Sequence, residues 1–208
     1  MHTLAALLDA LSAGAATAES VLREALARID APDGQGRVAF ISVDAEGARR
    51  DARAADAVRR AGRSPRALDG VPVSIKDLFD IAGEVTTAGS RVLADAPPAS
   101  ADAPAVARLR AAGAVLVGRT NMTEFAFSGL GLNPHYGTPL CGWDRAQARI
   151  AGGSSSGAAA SVAEGMAYAA LGTDTGGSLR IPAAFCGLVA FKPTASRVPR
   201  DGAYPLSS

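Results

Sequence analysis

The sequence predicts an α/β layer fold, and three observations carry that prediction. Short apolar runs rich in β-branched residues, at 38–43, 71–75 and 114–117, recur along the chain. Between them lie longer segments whose apolar residues fall at helical spacing. Most junctions carry Gly, Pro or Asp, the residues that turn a chain. Strand, helix and strand in alternation is the pattern from which layered α/β sheets are built.

The opening MHTLAALLDALSAGAATA places small residues after an apolar run, as secretory signals do. Asp9 interrupts that run and no Lys or Arg precedes it, so no signal is expected. Thr17 can cap a helix whose apolar face is Val21, Leu22, Ala25, Leu26 and Ile29. Pro32, Gly34 and Gly36 end that helix, and VAFISV at 38–43 reads as a buried strand. Residues 44–62 read as a helix with a thin apolar stripe and arginines in solvent.

After a turn at Asp69-Gly70, a buried strand delivers Lys76 at its end. Residues 102–113 read as a helix closed by Gly113, and 114–117 as the next strand. The stretch 129–157 has no periodic pattern and reads as a long functional loop. A small-residue helix at 157–165, a strand at 168–172 and a tight TDTGGS turn follow. Ser178 is expected to open one more helix, and VAFKPT at 189–194 to form a last strand. With no internal repeat and no low-complexity linker, 1–208 reads as a single domain.

The composition excludes several function classes. Hydrophobic residues make up 48% of the chain, far from disordered compositions. The 21 basic and 20 acidic residues leave a net charge of +1, without the positive surplus that nucleic-acid arms and polybasic membrane anchors need. No apolar run reaches the roughly 18 residues of a membrane span. Cys141 and Cys186 form neither a CxxC pair nor a disulfide framework, which fits a reducing cytoplasm. Of the 21 basic residues only Lys76 and Lys192 are lysines. Arg cannot be deprotonated and Lys can, so each of these two positions invites a chemical question.

Chemistry concentrates in GGSSSGAAASVA at 152–163 and GTDTGGSLRIPA at 172–183. In the second run a strand enters Thr175-Gly176-Gly177-Ser178, where glycine opens conformations closed to residues with a Cβ. Successive N–H groups of such a turn can converge on one negative oxygen, aided by a following helix N-terminus. Ser178 is then a nucleophile beside its own oxyanion hole, or only the N-cap of that helix. GGSSSG can be a flexible loop or a cap for the helix after it. It also satisfies G-x-S-x-G, a nucleophile elbow with Ser155 attacking, but that motif needs a later histidine. His2 and His135 both come earlier, so the elbow reading fails.

A serine nucleophile without histidine needs another base. Burial can neutralise a lysine, because desolvation lowers its pKa. Lys76 and Lys192 both stand near strand ends, and spacing does not choose between them. Lys76 can equally form a strand-end ion pair with Asp77 or Asp80. No His/Cys/Asp/Glu cluster has metal-ligand spacing and no phosphate-cradling glycine motif is present, so neither metal nor cofactor is expected.

The run GGSSSGAAASVAEGMAYAALGTDTGGSLRIPA, 152–183, resembles the signature of the amidase signature family. GVPVSIKD at 70–77, GRTNMTEFAFS at 118–128 and AFCGLVAFKPT at 184–194 resemble further blocks of that family in the same order. The resemblance runs from about Thr17 to the end of the chain. It implies a Ser–cis-Ser–Lys group: Lys76 as base, Ser154 as bridge after a cis Gly153–Ser154 bond, and Ser178 as nucleophile. The amides of Thr175, Gly176, Gly177 and Ser178 would hold the oxyanion, and Ser155, Asp174 and Arg180 would support the site by hydrogen bonding.

The implied fold is a mixed β-sheet flanked by helices on both faces. It is expected to be incomplete at the C-terminus, because DGAYPL at 201–206 resembles a block from the middle of family members. The implied function is hydrolysis of linear carboxamides, with a small-molecule amide as substrate and no nucleic acid or membrane as partner. Two alternatives stand beside it: an amidotransferase A-type glutaminase subunit, or an inactive fragment. A homodimer or a missing C-terminal half would be the macromolecular partner.

Overall fold

The computed structural model describes residues 3–63 and 65–206. His2 lies outside them. The described residues form seven α-helices and a four-stranded mixed sheet in the order β1-β3-β2-β4. The helices are α1 (Leu4–Ser12), α2 (Ala18–Ile29), α3 (Gly36–Ala39), α4 (Ala45–Arg60), α5 (Pro104–Ala111), α6 (Ser156–Ala163) and α7 (Arg180–Phe185). The strands are β1 (Phe40–Val43), β2 (Pro72–Lys76), β3 (Val115–Thr120) and β4 (Ala169–Leu171). β2 runs parallel to both β3 and β4, whereas β1 pairs antiparallel with β3.

Both faces of the sheet are covered. Val73 and Ile75 of β2 and Leu116 of β3 pack with α1 and α5 through Leu7, Leu11, Ala105 and Val106. Val115 and Val117 point the other way, into a cluster with Leu22 and Leu26 of α2, Ala48, Ala52 and Ala55 of α4, and Ala160 of α6. This inversion between adjacent residues of one strand is the period of a pleated sheet with both faces buried.

α2 begins as its sequence dictates. Thr17 and Ser20 form a reciprocal capping box, and all five expected apolar positions are buried. A further cap comes from α4, where the buried Asp56 accepts hydrogen bonds from Ala18 N (2.8 Å) and Glu19 N (3.1 Å). The α2·α4 packing is thus fixed by a carboxylate on a helix N-terminus as well as by alanines.

Three expectations need correction. The strand expected at 38–43 begins only at Phe40, because Val38 N and Ala39 N turn back to the Gln35 carbonyl and form α3. β3 extends past Val117 to Thr120, sandwiched between β1 and β2. Gly118 permits this, since a Cβ there would lie 2.3 Å from the Ser42 carbonyl oxygen. The strand expected at 189–194 does not form. Val189 is fully exposed and Phe191 is 80% exposed, and among the described residues no strand pairs with the segment. Strand propensity alone cannot replace a sheet edge.

The 129–157 stretch is irregular, as expected, but folded. Its second half carries a Leu140–Ile150 bridge and a 3-10 turn at Arg145–Gln147. The Gln35 side chain anchors it, donating to the Leu140 carbonyl at 2.7 Å and accepting from Leu140 N at 2.5 Å. No helix among the described residues is long and apolar enough to cross a membrane.

Candidate active site

Lys76 ends β2 in the centre of the sheet and is fully buried. Strand alternation turns Val73 and Ile75 toward α1 and α5, and Ser74 and Lys76 toward α6. Ser74 Oγ and the α6 Ser161 Oγ lie 2.9 Å apart, so a buried polar contact holds α6 to this face. Immediately before α6 the chain passes through Gly153–Ser154, a cis peptide bond at the position the sequence indicated. A Cβ on Gly153 would lie 2.6 Å from Gly131 N, so only glycine fits. Thr123 N donates to the Ser154 carbonyl at 3.0 Å and fixes the turn from the other side.

These elements bring Lys76 Nζ to 2.7 Å from Ser154 Oγ and 2.6 Å from Thr173 Oγ1. The expected alternative, an ion pair with Asp77 or Asp80, is not formed. Asp77 pairs instead with Arg119 Nε at 2.7 Å, and Asp80 accepts from Thr86 Oγ1 at 2.7 Å. Desolvation of the amine, with no carboxylate in contact, lowers the Lys76 pKa from 10.5 to about 7, and the more distant Asp174 charge opposes part of that fall. Lys192 is exposed, and its amine donates to the Pro193 carbonyl at 2.7 Å. The structure therefore separates the two lysines: one is buried beside a serine, the other solvated.

Ser178 lies two residues ahead of α7 and is half-buried. It is not the N-cap. That position belongs to Leu179, and Asp174 performs the capping, its Oδ2 accepting from Leu179 N (3.3 Å) and Arg180 N (3.2 Å). Arg180 grips the same carboxylate through Nε (2.8 Å) and Nη2 (2.9 Å). The Arg180 bonds, reinforced by these amides, hold the Asp174 carboxyl well below the usual carboxylate range. With Asp174 as the cap, the Ser178 hydroxyl makes no hydrogen bond among the described residues. Ser178 reaches the Lys76–Ser154 pair through the backbone, where Ser155 N donates to its carbonyl at 3.1 Å.

One expected donor needs correction. Gly177 N is directed at Asp174 Oδ1, 2.9 Å away, so its amide is spent within the turn. The amides of Thr175, Gly176 and Ser178 have no acceptor among the described residues, and Thr175 and Gly176 are exposed. The turn thus offers three free donors, a ready site for negative charge. Ser155, the alternative nucleophile of the elbow reading, is buried, with its hydroxyl donating to the Thr173 carbonyl at 3.3 Å and accepting from Thr173 N at 3.4 Å. It ties the start of α6 to the exit of β4. His135 contacts Glu124 at 2.9 Å, and no catalytic candidate touches it.

Thr173 escaped the sequence reading. Its neighbourhood follows from register: Ile75 pairs with Leu171, which carries Lys76 toward the residues just after β4. A parallel β2·β4 pairing, had it been anticipated, would have pointed to Thr173. Also unanticipated is the clamp around Asp77, whose buried carboxylate accepts from Arg119, Thr87 Oγ1 and Gly89 N and so pins the 86–90 loop beneath the site.

The arrangement combines a neutralisable amine, a hydroxyl in contact with it, an unencumbered second hydroxyl and a cluster of free amides. Comparison with known proteins shows the family of the chain. The family model described as Amidase matches residues 20–208. The chain is 50% identical over 198 residues to the A-type subunit of the glutamyl-tRNA(Gln) amidotransferase of Anaeromyxobacter sp. (strain K), covering 95% of this chain and 39% of that protein. It is 45% identical over 200 residues to AtzE, a 1-carboxybiuret hydrolase subunit of Pseudomonas sp. (strain ADP), covering 96% and 43%. The solved peptide amidase of Stenotrophomonas maltophilia superposes with a TM-score of 0.86 at 38% identity, covering 98% of this chain and 42% of that one. The chain therefore spans about two fifths of the length of these relatives.

Proposed function

The chain belongs to the amidase signature family, and on that premise we propose that it hydrolyses linear carboxamides through an acyl-enzyme on Ser178, with Ser154 and Lys76 as the proton relay. The observation that carries this reading is the contact between the buried Lys76 amine and Ser154 Oγ at 2.7 Å. An amine with pKa about 7 is half neutral near pH 7, where a general base works best.

The steps follow from the groups present. Ser178 Oγ attacks the amide carbonyl carbon and gives its proton to Ser154 Oγ, while Ser154 passes its own proton to neutral Lys76. Thr173 Oγ1, 2.6 Å from Nζ, takes one N–H of the amine and so turns the lone pair toward Ser154. The tetrahedral oxyanion is held by the free amides of Thr175, Gly176 and Ser178. Collapse expels the amine, which takes a proton from Lys76 through Ser154. Water then repeats the sequence on the ester and releases the acid. No metal or cofactor enters.

A second reading is a glutaminase subunit that passes ammonia to partner chains, favoured by the 50% identity to an amidotransferase subunit of the A type. In either reading the protein acts in the cytoplasm on a small amide, with a homodimer mate or the remaining part of an amidase as macromolecular partner. The test is release of ammonia from simple carboxamides and from glutamine by wild type and Ser178→Ala, with and without candidate partner subunits. Turnover of carboxamides without partners supports the first reading, and glutamine turnover only with partners supports the second. Folded protein inert under all these conditions overturns both.

A further inference from the structure

The hairpin formed by 139–141 and 149–151 lies against the C-terminal end of α7. Cys141 N donates to the Arg149 carbonyl (2.8 Å) and Ala151 N to the Pro139 carbonyl (3.1 Å), closing the hairpin. Cys141 Sγ then donates across to the Phe185 carbonyl at 2.8 Å, and Cys186 Sγ donates back to the Ala151 carbonyl at 3.7 Å. The first contact places the Cys141 thiol against the carbonyl bonded to Cys186 N, and the second places the Cys186 thiol against the other strand of the Cys141 hairpin. Both are free thiols, Cys141 buried and Cys186 partly exposed.

We propose that Cys141 and Cys186 are a cross-linking site, converted by low-molecular-weight disulfides into a reversible intramolecular disulfide that ties the hairpin to α7. A disulfide needs α-carbons roughly 4.4–6.8 Å apart, and a Cys141 thiol 2.8 Å from the carbonyl of Phe185, the residue bonded to Cys186, is within reach of that geometry. The position gives the bond a consequence. Ala151 precedes the Gly152-Gly153-Ser154 turn, and α7 begins two residues after Ser178. The closed ring contains both serines and fixes the segments that carry them at two ends.

The chemistry balances as two exchanges. Cys186, the more exposed of the pair, attacks R–S–S–R as a thiolate, forming a mixed disulfide and expelling one thiolate. Cys141, only 3% exposed, then attacks the Cys186 sulfur and expels the second. The two protons given up by the protein thiols are taken by the two released thiolates. Burial first, then the adjoining Cys141 thiol, pushes the Cys186 thiol up to about 12, so the first exchange is slow at neutral pH.

The inference does not rest on the proposed hydrolysis, and its test reads mass. The protein is incubated with oxidised glutathione at about pH 8.5, close to the pKa of an ordinary thiol. It is then unfolded, alkylated with N-ethylmaleimide and weighed intact and after digestion. The expected product is a monomer lighter by two hydrogens, unalkylated, with a Cys141–Cys186 linked peptide that dithiothreitol cleaves. Its melting midpoint is several degrees above that of reduced protein, a shift absent from Cys141→Ser, which stops at a glutathione adduct on Cys186. Wild type that retains glutathione adducts, forms a disulfide dimer or is alkylated on both thiols overturns the proposal.

Discussion

Lys76 Nζ lies 2.7 Å from Ser154 Oγ although 78 residues separate the two in the chain. Packing makes the contact: β2 ends at Lys76, α6 begins two residues after Ser154, and the Ser74–Ser161 contact holds strand and helix together. Because no carboxylate touches the amine, its charge is penalised rather than stabilised by the surroundings.

The first prediction concerns that penalty. With the Lys76 pKa at about 7 in the folded protein against 10.5 when exposed, the unfolded chain binds more protons between these values. Stability therefore rises with pH across that window, and the lysine's cost is fully present below pH 7. Lys76→Met removes this pH dependence in denaturant titrations at pH 6.5 and 9.5, and lowers acylation of Ser178 about 10²–10⁴-fold, the usual worth of a general base. Lys76→Arg is equally inactive, since a guanidinium cannot give up its proton.

Thr173→Val leaves one amine N–H of Lys76 without an acceptor while preserving shape. The expected loss in acylation rate is about 10-fold or more, the cost of an unsatisfied buried donor. Because the hydroxyl also favours the charged amine, the acid limb of the pH–rate profile moves to lower pH. Thr173→Ser, which restores the acceptor, restores both the rate and the limb.

Asp174→Ala removes the acceptor for Gly177, Leu179 and Arg180 amides together. The turn carrying Ser178 loosens, and acylation falls about 10-fold or more while the far-ultraviolet spectrum is retained. The depressed Asp174 pKa means its contribution to stability is present above the ordinary aspartate pKa of about 3.9 and is lost as pH falls below it. Asp174→Asn accordingly unfolds with a shallower acid transition.

Two glycines give opposite results. Gly153→Ala places a Cβ 2.6 Å from Gly131 N and 2.7 Å from Gly131 Cα, a backbone clash that costs about 1–3 kcal/mol in a denaturant titration. Gly176→Ala meets nothing within 4 Å and keeps its N–H, so stability is unchanged.

The sequence reading anticipated what local rules control. The Thr17 cap, the apolar face of α2, the buried run ending at Lys76 and the small-residue helix after GGSSSG all stand where pattern and turn chemistry put them. Lys76, Ser154 and Ser178 are named by the resemblance, because residue types alone leave Lys192 and an ion pair open. What escaped depends on register and tertiary contact. Thr173 reaches Lys76 only through the β2·β4 pairing, and Gly177 loses its donor role to a side chain three residues away. VAFKPT has the composition of a strand, but without a neighbouring edge no ladder forms and Val189 and Phe191 remain exposed.

The measurement that bears most directly on the central claim is phosphonylation by a fluorophosphonate probe, mapped by mass spectrometry and followed against pH. The account predicts one adduct, on Ser178, whose rate of formation climbs with pH and levels off above an apparent pKa of about 7, and which Ser154→Ala and Lys76→Met each suppress. An adduct on Ser155, or labelling of Ser178 that is indifferent to pH and to Lys76, would contradict it.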